Sequence, residues 1–142
     1  MNLLPGLEFH EDIRLLVWKP SGLLDEASVN KVISILGSLE AEMNEPFDRF
    51  SDTVGVDEVE LNFRYVIHVS LYRRLTYSGR PPIKSAILAT DSTLIHYGKL
   101  HALMTRGSPI NVQLFQERES AARWLGVPVE RVAAPSAGEE PK

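Results

Sequence analysis

Leu7-Glu8-Phe9-His10 alternates between apolar and polar positions, whereas Leu15-Leu16-Val17-Trp18 is apolar without interruption. Alternation marks a strand with one wet face, and a continuous run marks a strand covered on both. The pattern therefore predicts an N-terminal hairpin, turning at Glu11-Asp12, that leads into the centre of a sheet. Lys19-Pro20-Ser21-Gly22 ends it.

From Asp25 the period changes. Val29, Val32, Ile33, Leu36, Leu39 and Met43 recur at spacings of three and four, which gives one apolar stripe along a helix. Asp25 has the short carboxylate of an N-cap, and Asn44-Glu45-Pro46 stops the helix. Phe47 to Val54 reads as the next strand, although Asp48, Arg49 and Asp52 make it more polar than a central parallel strand ordinarily is. After Gly55, Asp57-x-x-Glu60 has the spacing of a capping box. The stretch from Val59 to Tyr77 fits both periods: Leu61, Phe63, Tyr65, Ile67, Val69 and Leu71 alternate, while Val59, Phe63, Val66, Ile67, Ser70 and Arg74 share a helical face. About nineteen residues without glycine or proline is too long for an ordinary strand, and length decides for a helix.

Ser78-Gly79-Arg80-Pro81-Pro82 breaks the chain. Ile83 to Ala89 is a short apolar run, hence a buried strand. Asp91 is placed to cap a helix reaching Met104, which Gly107-Ser108-Pro109 terminates. Ile110, Val112 and Leu114 alternate with Asn111 and Gln113, as on an edge strand. Gln116 to Leu125 is a short helix closed by Gly126, with Trp124 expected to anchor it in the core. Beyond Pro128 no period is left.

The predicted order is β-β-α-β-α-β-α-β-α. Strands separated by helices pair in parallel, with helices covering both faces of the sheet. The expectation is one α/β domain over residues 1–128, mostly parallel with an N-terminal antiparallel hairpin strand, followed by a tail over 129–142.

Composition narrows the function classes. At 142 residues the chain is long enough to bury a core without staples, and it contains no cysteine. Disulfides, thiolate nucleophiles and zinc–sulfur sites are thereby removed. No apolar run reaches the roughly 18–20 residues of a membrane span, and Met1-Asn2-Leu3-Leu4-Pro5-Gly6 lacks the features of a signal peptide. A formal charge of −4 and a pI near 5.6 argue against nucleic acid as a partner. A cytoplasmic location is the default.

Candidate chemistry is thin. His96 and His101 stand five apart on one predicted helix, about 140° apart around its axis, and no His-Glu-x-x-His is present. Together with His10 and His68 they read more simply as hydrogen-bonded or solvated histidines. Asp48, Asp52, Asp57, Glu58 and Glu60 gather near a strand end, where open α/β sheets bind ligands; a cap and a solvated helix start explain them as well. Arg73, Arg74, Arg80 and Lys84 could meet an anion, but three of them lie near a helix end that favours cations in any case. Tyr65, Tyr72, Tyr77 and Tyr97, with Phe63, His68 and His101, could line an apolar pocket with polar tips or simply be core. No Gly-x-Ser-x-Gly, P-loop or Gly-x-Gly-x-x-Gly occurs. No catalytic residue, metal ligand or cofactor-binding residue is assigned.

Three stretches carry a resemblance: the opening hairpin before Gly22, the segment Asp52-Thr53-Val54-Gly55-Val56, and Val112-Gln113-Leu114-Phe115 followed by Glu117, Ala121-Ala122 and Trp124-Leu125. Over residues 7–126 the chain resembles the SpoIIAA-like proteins of the STAS superfamily. The resemblance implies that fold, and it implies a non-enzymatic binding or regulatory module. In the better-known relatives a serine or threonine at the start of the helix after the third strand is switched by a kinase. Here Val56 to Arg64 contains no hydroxyl residue, so the switch is expected to be absent. Some SpoIIAA-like proteins also resemble CRAL-TRIO lipid-transfer domains, which implies as the alternative a carrier or sensor of a small apolar ligand or lipid. A cofactorless enzyme is a distant third. The expected partner is another protein or a small apolar ligand, with homodimerisation open. The surface expected to meet it comprises Asp52, Asp57, Glu58, Tyr72, Tyr97 and His101.

Overall fold

The structure, a computed structural model, describes residues 2–133. Strands β1 (Asn2–Leu4), β2 (Leu7–His10) and β3 (Leu15–Trp18) form an antiparallel meander, and β4 (Gly22–Asp25) leads directly into α1 (Glu26–Met43). Then come β5 (Asp48–Asp52), β6 (Val56–Glu60), α2 (Phe63–Thr76), β7 (Ile83–Leu88), α3 (Ser92–Met104), β8 (Ile110–Phe115), α4 (Arg118–Leu125) and α5 (Val129–Ala133). The main sheet has the order β1-β2-β3-β5-β7-β8, and β3, β5, β7 and β8 run in parallel. The expected α/β architecture, mostly parallel with an antiparallel hairpin at one end, is what the chain adopts. β8 lies at the sheet edge, as its alternation implies.

Helices begin and end where local chemistry directs. Asp25 accepts from the Ser28 backbone N–H at 2.9 Å and the Ser28 hydroxyl at 2.7 Å, and Asp91 accepts from the Leu94 N–H at 3.1 Å. Both are N-caps that satisfy first-turn donors. Asn44 closes α1 in the left-handed region at φ 60°, a conformation asparagine tolerates.

The alternation of each central strand divides the core by sheet face. Leu15, Val17, Phe50, Ala86 and Leu88 meet Ala121, Ala122 and Leu125 of α4 and Val132 of α5. On the opposite face Leu7, Phe9, Leu16 and Phe47 pack on Val32, Leu36 and Leu39 of α1, and Ile87 and Leu114 pack with Leu94 of α3. Helix α3 lies close over β8 because Gly98 carries no side chain; a Cβ there would stand 2.6 Å from Leu114 Cδ1.

Three expectations are corrected. The capping box at Asp57-x-x-Glu60 does not form: Val56–Glu60 is strand β6, paired in parallel with β4 as a separate two-stranded sheet. Helix α2 starts at Phe63 behind Asn62, whose carboxamide oxygen accepts from the Tyr65 N–H at 2.8 Å. The domain does not stop at Pro128, since α5 buries Val132 completely in the core. The rest of the expected tail, 134–142, lies outside the described residues. Trp124 is half-buried at the margin of this core, its ring 5.5 Å from that of Phe115 and capped by the Lys84 ammonium.

Candidate functional site

The sheet face under α1, α2 and α3 is not uniformly apolar. Register places Leu16, Arg49, Ser85 and Val112 in one row across β3, β5, β7 and β8, and Trp18, Ser51, Ile87 and Leu114 in the next. Two serines and an arginine thus occupy the middle of a face whose flanks are packed. Above them α1 brings Val29, Val32, Ile33 and Leu36, and α2 brings Tyr65, Val66, Val69 and Arg73. From α3 come Leu94, Tyr97, Gly98 and His101, all at helical spacings of three or four. Short side chains on the sheet and valines on α2 do not fill the space between the layers. A cavity of about 170 Å³ remains there, with a predominantly apolar wall.

Its edges are fastened by hydrogen bonds. The Tyr65 hydroxyl donates to Asn30 Oδ1 at 2.6 Å, joining α2 to α1. The Tyr97 hydroxyl donates to the Leu61 carbonyl at 3.0 Å, and its ring meets Phe63 edge-on at 5.2 Å.

Polar groups collect at one end. Arg49 pairs through Nη2 with Glu40, whose same oxygen accepts from the Tyr77 hydroxyl at 2.5 Å. The Arg49 guanidinium lies 4.8 Å from the centre of the Phe47 ring and 5.3 Å from that of Tyr77, a cation–π arrangement. Arg80 stands at the rim, 3.6 Å from the other Glu40 oxygen.

His101 is 8% exposed. Its Nδ1 lies 2.7 Å from Ser70 Oγ, and its Nε2 lies 2.9 Å from Arg73 Nη1. A guanidinium only donates, so Nε2 must be the bare acceptor. Nδ1 then carries the proton and donates to Ser70, whose own hydroxyl donates to the Val66 carbonyl at 2.8 Å. Burial foremost, and the Arg73 charge after it, lower the imidazole to about 3, so the ring is neutral near pH 7. Burial also lowers Arg73 to about 10, helped by the neighbouring Arg49 charge. It remains a cation.

The six expected surface residues separate. Tyr97 and His101 line the cavity. Tyr72 is exposed on the outer side of α2, and Asp57 and Glu58 are exposed on β6. Asp52 is buried on the other sheet face, where its carboxylate accepts from Arg118 Nη2 at 2.6 Å and Nε at 3.1 Å and so ties β5 to α4. Of the other candidates, Tyr65 and Arg73 line the cavity, Asp48 accepts from the Lys84 N–H at 2.9 Å, and Arg74 donates to the Arg106 carbonyl at 2.6 Å. Arg49, Ser51 and Ser85 were not singled out as site residues. The available signal was Arg49 itself, a charge in the middle of a strand whose neighbours are apolar runs.

Among the described residues no three of histidine, cysteine, aspartate and glutamate converge as metal ligands, and no helix is long and apolar enough to cross a membrane.

The chain matches no family model and no curated protein. It is similar in structure to a crystal structure of an uncharacterized Shewanella loihica protein of the DUF3478 family with a SpoIIAA-like fold. The TM-score is 0.56 at 18% identity, covering 88% of this chain and 97% of that one. The fold is SpoIIAA-like, as the resemblance in the hairpin, the Asp52–Val56 segment and the closing strand and helix implied.

Proposed function

We propose that this chain is a non-enzymatic binding module whose cavity between the sheet and α1–α3 receives a small, mostly apolar ligand. The observation that carries the reading is the cavity of about 170 Å³ with a predominantly apolar wall and a few polar groups in it, the usual make-up of a small-molecule site. An engineered apolar cavity of about 150 Å³ in another protein takes up benzene. That scale favours a compact ligand over a long acyl chain, and a sensor or carrier of a small molecule over a lipid-transfer protein.

Protein purified without organic additives and examined by native mass spectrometry should carry a small-molecule adduct that denaturation releases. Failing that, toluene should bind and raise its melting temperature. Absence of both overturns the reading.

A protein partner is the second reading. Phe63, Leu71, Tyr72 and Leu75 of α2 are exposed, Leu75 at 78%, an apolar surface of the kind that meets other proteins. Under either reading a serine or threonine switch is not expected. Ser51 faces the cavity, and Thr53 is buried with its hydroxyl donating to the Leu88 carbonyl at 2.7 Å.

A further inference from the structure

Arg49 is a charged side chain on the central strand of the sheet, and it is 4% exposed. Only one of its three nitrogens is served: Nη2 meets Glu40 and, at 3.3 Å, the Tyr77 hydroxyl. Nε and Nη1 are buried and have no hydrogen-bond partner among the described residues. Leaving charged donors unsatisfied in the interior is costly, and natural sites that do so generally expect a partner. Arg49 is part of the cavity wall, and a partner in the cavity reaches these two nitrogens once the side chain turns toward it, since they have almost no accessible surface as they stand.

The charge balance gives its sign. Arg49 and Arg73 place two cations at this end, near enough that the Arg49 charge disfavours the charged form of Arg73. His101 is a neutral acceptor occupied by Arg73. Glu40 supplies one negative charge, and its two oxygens already face Arg49, Tyr77 and Arg80. Arg80 adds a further cation, but it stands 46% exposed at the rim, where solvent and salt screen it; among the inner groups alone, Arg49 and Arg73 against Glu40, one positive charge is left over. A single carboxylate neutralises it, whereas a phosphate dianion would overshoot. Ser51 and Ser85 add hydroxyls on the same face.

Resting on the reading of the cavity as a ligand site, we propose that it takes a small organic acid, an apolar body of about benzene size bearing one carboxylate, with the carboxylate held by Arg49 and Arg73 and the body among the valines and leucines of α1 and α2. Charge-assisted bonds from guanidinium to carboxylate are among the stronger hydrogen bonds, and a site built for them rejects an isostere without the charge.

The test titrates the full chain at pH 7.5 with benzoate, its neutral isostere benzamide, and toluene, read by calorimetry and by the arginine Nε–H resonances. Benzoate should bind at least about tenfold more tightly than benzamide, and the Arg49 Nε–H signal should shift. Arg49→Met should erase that preference while toluene still binds. If this variant does not fold, Arg73→Gln, at a half-buried position, should reduce the preference instead. Toluene binding with benzoate and benzamide equal in the parent protein overturns the acid assignment and leaves the cavity reading standing. A benzoate preference unchanged in the folded variants places the anion elsewhere and also overturns it. If none of the three probes binds to protein that native mass spectrometry shows to be free of an adduct, the cavity reading fails, and the acid assignment with it.

Discussion

Each neighbour of His101 fixes one of its ring nitrogens: Ser70 accepts from Nδ1 and Arg73 donates to Nε2. Burial penalises the imidazolium, and adding a proton would also set an N–H against an arginine N–H inside the core; together they hold the folded imidazole down to about 3 from an ordinary value of 6.5. Between those values the unfolded chain binds a proton that the folded chain refuses. The stabilising effect of neutral His101 is therefore complete above the ordinary histidine range and lost as the pH falls, by about 1.4 kcal/mol per pH unit for one proton. Replacing it by glutamine keeps an acceptor for Arg73 and removes the titration. Urea unfolding at pH 7 and pH 5 should show the parent losing up to about 2 kcal/mol more than His101→Gln. His10, whose imidazole burial and Arg131 also lower, adds the same background to both proteins. Parallel losses would mean that His101 is solvated and free to charge. At this scale the sequence was readable only in part. The polarity of Asp48-Arg49 was visible as an anomaly in a strand, but which face Arg49 takes and what lies above it depend on α1, α2 and α3 arriving from elsewhere.

Among the elements, those with a strong local period were legible and those formed by long-range pairing were not. Helix α1 carries its own stripe and caps, and its bounds follow from Asp25 and Asn44. Strands β4 and β6 are short and partly exposed, and they are joined only to each other, Leu24 opposite Val59 and Asp25 opposite Glu60. Nothing local in Gly22–Asp25 or Val56–Glu60 announces that pairing, so Asp57 was assigned a capping role that belongs to Asn62. The two assignments separate cleanly in a stability measurement. Asn62→Ala removes a side-chain acceptor from the first turn of α2 and should cost about 1 kcal/mol. Asp57→Ala, at an exposed strand position, should stay within about 0.5 kcal/mol of the parent. Equal effects in denaturant unfolding would contradict the start of α2 at Phe63. Helix α5 escaped for the same reason as β6: five residues have too little period to read, and Val132 is fixed by the core it enters.

The molecule as a whole has one sheet face filled and one left with space. Under α4 and α5 the small residues Ala86, Ala121 and Ala122 let the layers close around Phe50. Under α2 the facing residues are also small, Ser51 and Ser85 against Val66 and Val69, but there a cavity remains. On that face an empty apolar space forfeits contacts that a side chain could supply, by roughly 24 cal/mol per Å³ of cavity. If the space is kept for a ligand, filling it should add stability and remove binding together. Val69 lines the cavity from α2 and is half-buried, so Val69→Phe directs a ring into it without disturbing Arg49. The gain is expected at about 1 kcal/mol if the ring fits a relaxed rotamer, and overpacking would reverse its sign. Stability alone is therefore ambiguous, and ligand linkage resolves it. A ligand that binds only the folded state adds RT ln(1 + [L]/Kd), about 2.7 kcal/mol at a hundredfold excess over Kd. Toluene should accordingly raise the melting temperature of the parent and leave that of Val69→Phe unchanged. An equal rise in both proteins would place toluene outside this cavity, and the face beneath α2 would then be an imperfectly packed core instead of a site.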